Sequence, residues 1–127
     1  MHKTIISIIS DTHGILDKSV EEYLSKSDII IHAGDVMSID LIKHLKKNYK
    51  KTYIVAGNND IPERYEHTDD KKLINNLNKI ETFKVFDEII TVTHGDQFGS
   101  MPSHSKLRDT FPDSKLIIYG HTHFQIF

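Results

Sequence analysis

The sequence predicts an α/β fold on three observations. Short apolar runs, most of them β-branched, alternate with stretches whose apolar residues recur at helical spacing. Two later runs are joined by a turn too short for a crossover. Five of the runs stop at a polar block combining Gly with Asp, Asn or His, as in an open sheet that presents its chemistry at the carboxyl ends of its strands.

Thr4 to Ser10 reads as a strand buried on both faces and closed by Asp11-Thr12-His13-Gly14. Leu16 to Lys26 follows as a helix with Leu16, Val20, Tyr23 and Leu24 at helical spacing, broken at Ser27-Asp28. Ile29 to Ala33 is a second buried strand, ending at Gly34-Asp35. A helix from about Ile39 to Tyr49 turns Ile39, Ile42 and Leu45 inward and its lysines outward. Thr52 to Ala56 is the third strand, ending at Gly57-Asn58-Asn59-Asp60. This order makes two right-handed crossovers, so the three strands are expected to be parallel.

Residues 61–79 carry one short helix through Leu73, Ile74 and Leu77, flanked by a mobile loop around His67-Thr68-Asp69-Asp70. Asp60-Ile61-Pro62-Glu63 reads as a helix cap with Glu at its third position. Ile80 to Phe86 and Glu88 to Thr93 form an antiparallel pair about Asp87, so the sheet becomes mixed or a second sheet begins. That pair ends at His94-Gly95-Asp96. A loop from Phe98 to Ser103 leads to a short amphipathic helix ending at Phe111, and Leu116 to Tyr119 is a last strand running into Gly120-His121-Thr122-His123.

A chain of 127 residues is expected to form one domain, residues 1–127, with a real core. A net charge of -2 gives no reason to expect nucleic acid or an anionic membrane as partner. The absence of Cys excludes disulfides and thiolate metal sites, and is compatible with the cytoplasmic location expected here. The first apolar run is too short for a signal-peptide core or a membrane span. Nine His without Cys point to nitrogen and oxygen ligands for a metal.

Singly, an Asp after a strand is a turn former or cap. Together, the five blocks bring two carboxylates, four imidazoles and one carboxamide oxygen to one rim. That is too many for one ion of ordinary coordination, and suits two divalent ions sharing a bridging carboxylate. His121 and His123 alternate along an extended segment and so share a face. His32 lies inside a strand and reads as a packed, hydrogen-bonded residue; His2, His44 and His67 read as solvated, and His104 is not counted in the site.

In this order the blocks resemble the calcineurin-like metallophosphoesterases, specifically the small bacterial and archaeal phosphodiesterase branch, from Ile5 to His123. The resemblance implies two packed mixed β-sheets flanked by helices, a four-layer sandwich, here apparently without the last C-terminal strands. It implies that Asp11, His13, Asp35 and His123 hold one metal, and that Asp35, Asn58, His94 and His121 hold the other. The ions would be manganese, nickel, iron, cobalt or zinc, with manganese favoured. Two divalent ions and two carboxylates leave roughly +2 in the site, which suits a singly charged phosphodiester attacked in line by a metal-bridging hydroxide.

Many catalytic members of that family carry His after the ligand Asn, where this chain has Asn59. Asn59 is therefore the candidate catalytic and substrate-binding residue: its amide can donate to a phosphoryl oxygen but cannot protonate a leaving group. The expected activity is hydrolysis of a small phosphodiester rather than a monoester, with no membrane partner and no specific nucleic-acid binding. The alternative implied by the same resemblance is an inactive scaffold acting as a protein-interaction module. Phe124 to Phe127 read as the start of a strand without a partner, so a homo-oligomer or an aggregating chain with a weak second metal site is expected.

Overall fold

The computed structural model of the chain describes residues 3–99 and 104–121. Its elements run β1 (Ile6–Ile9), α1 (Lys18–Ser25), β2 (Ile29–His32), α2 (Ile39–Asn48) and β3 (Thr52–Ile54). A 3-10 turn (Pro62–Arg64), α3 (Thr68–Asn75), β4 (Ile80–Val85) and β5 (Glu88–Thr93) follow. A second 3-10 turn (Asp96–Phe98), α4 (His104–Thr110) and β6 (Leu116–Ile118) complete the described order. Among the described residues, four helices flank two three-stranded sheets.

The first sheet has the order β1-β2-β3 and is parallel throughout, with Ile31 of β2 level with Ile8 of β1 and Tyr53 of β3. All four residues of central β2 are buried, because the strand is covered on both faces. Ile30 meets Leu24, Ile42 and Leu45 in a core under the helices. Ile29 and Ile31 meet Phe83, Ile90, Val92 and Ile118 in a second core between the sheets. The expectation that the first strand is buried on both faces is corrected: among the described residues β1 pairs on one side only, with β2, and Ile5 and Ile8 are 44% and 49% exposed. Its β-branched run reports strand propensity, not burial.

The alternative left open for the later strands resolves to a second sheet that is itself mixed, of order β4-β5-β6. β4 and β5 are antiparallel, β5 and β6 parallel. The hairpin turns through Phe86 and Asp87, whose φ of 50° and 64° give the doubly left-handed turn that matches strand twist. Tyr53 and Phe83 stack across the two sheets with ring centroids 3.9 Å apart.

α2 starts where its cap allows, with the Ser38 hydroxyl accepting from the Leu41 N–H at 3.1 Å. The expected mobile loop at 67–70 is also corrected. Thr68, Asp69 and Asp70 form the first turn of α3, where carboxylates favour the positive end of the helix, and buried Ile74 anchors it. His44 is not simply solvated: its Nε2 meets the Glu21 carboxylate, joining α2 to α1. His104 opens α4, 2.7 Å from the Tyr119 hydroxyl. No helix among the described residues is long and apolar enough to cross a membrane. His123 and the stub Phe124 to Phe127 lie outside the described residues.

Candidate metal centre

The carboxyl ends of β1, β2, β3, β5 and β6 meet at one rim, and backbone hydrogen bonds stitch their exits together. The N–H groups of Asp11, His13 and Gly14 donate to the carbonyls of Gly34, Asp35 and Val36 at 2.9, 3.2 and 2.7 Å. The Gly120 N–H donates to His94 O at 3.1 Å, closing the rim between β5 and β6. Asp11, His13, Asp35 and His121 all have left-handed backbone, with φ of 52°, 51°, 55° and 75°. Such a conformation costs of order 1 kcal/mol per non-glycine residue, so its concentration at four candidate ligands marks a strained rim.

Three glycines let this rim close. A Cβ on Gly34 would lie 2.5 Å from His94 Nδ1, one on Gly57 2.2 Å from Asp35 Oδ1, and one on Gly120 2.1 Å from Ser10 Oγ. At each place the backbone passes directly against a candidate ligand or its support.

The side chains converge on Asp35, which is 2% exposed. His13 Nε2 lies 3.8 Å and His94 Nε2 3.5 Å from Asp35 Oδ2. His94 Nε2 is also 3.8 Å from Asp11 Oδ1 and 3.0 Å from Asn58 Oδ1, and His121 Nδ1 is 3.0 Å from that same Asn58 oxygen. Asp11 is held from two sides, since Ser10 Oγ at 2.5 Å and the His121 N–H at 3.3 Å both donate to its Oδ2. Six of the seven expected metal ligands are thus brought together, Asp11, His13, Asp35, Asn58, His94 and His121; His123 is outside the described residues.

The donor set can be tested against a cation. The His94 Nδ1–H donates to Ala33 O at 2.8 Å, so a neutral ring turns its Nε2 lone pair towards Asn58, Asp35 and Asp11 oxygens. Lone pairs facing one another need positive charge between them, either a proton on His94 or metal ions. Burial opposes charge on His94, yet its contact with Asp35 prevails and raises its pKa. Burial likewise opposes ionisation of Asp35, but hydrogen bonds from His94 and Asn59 hold it well below the usual carboxylate range. Asp11, Asp35 and His94 offer ligand atoms all within 4.8 Å of one another. The residues fit divalent cations.

Asn59 sits on the same carboxylate. Its backbone N–H and side-chain Nδ2 donate to Asp35 Oδ1 and Oδ2, each at 2.9 Å, and its Oδ1 accepts from Arg64 at 2.9 Å. The expected capping role of Asp60 is overturned. Asp60 is 5% exposed, and its carboxylate accepts from the N–H groups of Val36, Met37 and Gly57 at 3.1, 2.8 and 2.8 Å. The following turn takes Ile61 as its cap residue with no side-chain bond. The sequence did carry a signal: Pro62 belongs at the first position of a turn, which leaves Asp60 one residue too early to cap it.

His32 is packed and bonded as expected. It accepts from the Gly34 N–H on Nδ1 at 3.1 Å and pairs through Nε2 with Thr12 Oγ1 at 2.9 Å, bracing the loop between Asp11 and His13. Its pKa is lowered from 6.5 to about 4, burial outweighing the attraction of Asp11.

Comparison with known proteins follows the same lines. The calcineurin-like phosphoesterase superfamily domain matches residues 5–125. The phosphodiesterase MJ0936 of Methanocaldococcus jannaschii is 33% identical over 131 residues, covering 96% of this chain and 75% of that protein. The probable metallophosphoesterase MJ0623 of the same organism is 32% identical over 126 residues, covering 94% of this chain and 58% of that protein. Vacuolar protein sorting 29 from Cryptosporidium parvum has a similar fold, with a TM-score of 0.78 at 21% identity over 97% of this chain and 67% of that one.

Proposed function

The chain belongs to the calcineurin-like phosphoesterase superfamily, a family of metal-dependent phosphoesterases, and on that premise we propose that it hydrolyses a small phosphodiester with two divalent cations. The observation that carries this reading is the buried Asp35 carboxylate, flanked at 3.8 and 3.5 Å by two imidazoles, beside an Asn58 oxygen 3.0 Å from each of two rings. Asp11, His13, Asp35 and His123 would hold one cation; Asp35, Asn58, His94 and His121 would hold the other. Bound there, the cations would supply Lewis-acid chemistry, neutralising charge on the phosphoryl oxygens and making water more acidic. Carboxylate and imidazole donors suit manganese, which we propose as the ion.

The chain's own groups set the rest. Asp35 stays ionised across the working pH range, and the His94 Nδ1–H to Ala33 fixes the tautomer that turns Nε2 inward. Asn59 can orient a phosphoryl oxygen but cannot protonate a departing alkoxide, so esters with good leaving groups are favoured, and diesters over monoesters. The name of the 33% identical relative supports the diester. Nothing in the amino-acid composition argues against a cytoplasmic setting, which completes the proposal.

A second reading, a scaffold without turnover, draws on one observation: Asn59 puts an N–H donor on each oxygen of Asp35, where cations would compete. Metal analysis after desalting of manganese-loaded protein, with turnover of bis(p-nitrophenyl) phosphate, separates the two. About two ions per chain and metal-dependent turnover are expected. Fewer than one ion per chain and no turnover would favour the scaffold.

A further inference from the structure

Arg64 lies outside every expected site, yet its guanidinium is tied to the rim. Its Nη2–H donates to Asn59 Oδ1 at 2.9 Å, and the other end of that carboxamide donates to Asp35 Oδ2 at 2.9 Å. Two hydrogen bonds and one carboxamide therefore bring the cation within about 8 Å of the carboxylate at the centre of the site. A phosphate group anchored on that centre would lie within reach of a guanidinium held at this distance.

The side chain is also available. Arg64 is exposed, and among the described residues it makes no ion pair, although Glu63 and Glu66 stand beside it in the sequence. Among the described residues its five N–H donors have one side-chain acceptor, Asn59 Oδ1. Its backbone is well placed. Arg64 closes the 3-10 turn that starts at Pro62, with its own N–H on Ile61 O at 3.2 Å and the Tyr65 N–H on Pro62 O at 3.0 Å. That turn leaves directly from Asp60, whose carboxylate is fixed in the rim by three backbone donors.

We propose that Arg64 is a substrate-binding residue, whose guanidinium takes a non-bridging oxygen of the ester phosphate while Asn59 stays on Asp35. The chemistry complements what Asn59 lacks. A carboxamide supplies direction without charge, whereas a guanidinium stays protonated and presents a planar fork of donors matched to phosphoryl oxygens. The added cation raises the positive charge facing the substrate and so strengthens binding of the singly charged ester. This inference rests on the phosphodiesterase reading above.

Arg64→Gln and Arg64→Lys test it by steady-state kinetics on bis(p-nitrophenyl) phosphate, with calorimetric titration of inorganic phosphate into the manganese-loaded proteins. Arg64→Gln is expected to raise KM about tenfold or more with kcat changed less than about threefold, and to weaken phosphate binding by a similar factor. Arg64→Lys should recover part of both, and metal content should stay at the wild-type level in each variant. Equal phosphate affinity in wild type and Arg64→Gln would overturn the assignment alone. Loss of metal together with activity would also overturn it, since Arg64 would then only prop Asn59 against Asp35. A wild-type protein that neither binds phosphate nor turns over the ester would remove the phosphodiesterase reading and this one with it.

Discussion

Replacing Asp60 with alanine removes the acceptor of three backbone N–H groups, from Val36, Met37 and Gly57. Val36 is 0% exposed and Gly57 is buried, so water cannot readily replace the carboxylate there. An orphaned buried donor costs about 1–3 kcal/mol, and two such donors with a third half-buried one amount to roughly 4 kcal/mol. A carboxylate that merely capped a three-residue turn would be worth about 1 kcal/mol. Urea unfolding of the metal-free protein reads the difference directly. The exit of β2 carries Asp35, so metal affinity should fall with stability, and Asp60→Asn should recover part of both by restoring an acceptor. An Asp60→Ala cost near 1 kcal/mol, with metal retention intact, would refute the role of Asp60 as the clamp between the exits of β2 and β3.

Asp35→Asn should weaken both cations, whereas His13→Ala should mainly empty one; full retention of two ions in desalted Asp35→Asn would refute the bridging assignment. Gly57→Ala would place a methyl 2.2 Å from Asp35 Oδ1 and 2.4 Å from its backbone nitrogen, and overpacking of this kind costs about 1–3 kcal/mol. A shift of the urea midpoint with loss of bound metal checks it. Native His32, with its pKa near 4, stays neutral where the unfolded chain takes a proton near 6.5. Its contribution is therefore complete above pH 6.5 and is lost as pH falls towards 4, by roughly 3 kcal/mol. Unfolding free energies at pH 7 and 4.5 should differ less in His32→Gln than in wild type, and an unchanged difference would refute the assignment.

The alternation of apolar runs and helical stretches was enough to place the strands and their parallel order. The crossovers allow little else, and the two-residue turn at Phe86-Asp87 allows only an antiparallel pair. The candidate ligands were legible for a related reason. Polar residues at the ends of buried strands have no core to join, and a parallel sheet delivers them to one edge. Which strand stays partly exposed was not legible, because β-branching sets extended backbone whether or not a second layer covers it, as β1 shows.

The sequence alone determined the residue types at the rim and hence its chemistry, nitrogen and oxygen donors without thiolates. Only the tertiary structure decided what supports them. Asp60 looked like a cap because local spacing favours that role, yet its carboxylate spans 24 residues to Val36 and binds a loop from another crossover. The left-handed backbone at Asp11, His13, Asp35 and His121 has the same origin, since those conformations persist only where long-range hydrogen bonds outweigh a local preference against them. Arg64 stood among polar residues and acquired its meaning only when Asn59 linked it to Asp35. Local preferences are written in neighbouring residues; a contact between distant exits depends on the packing that brings them together.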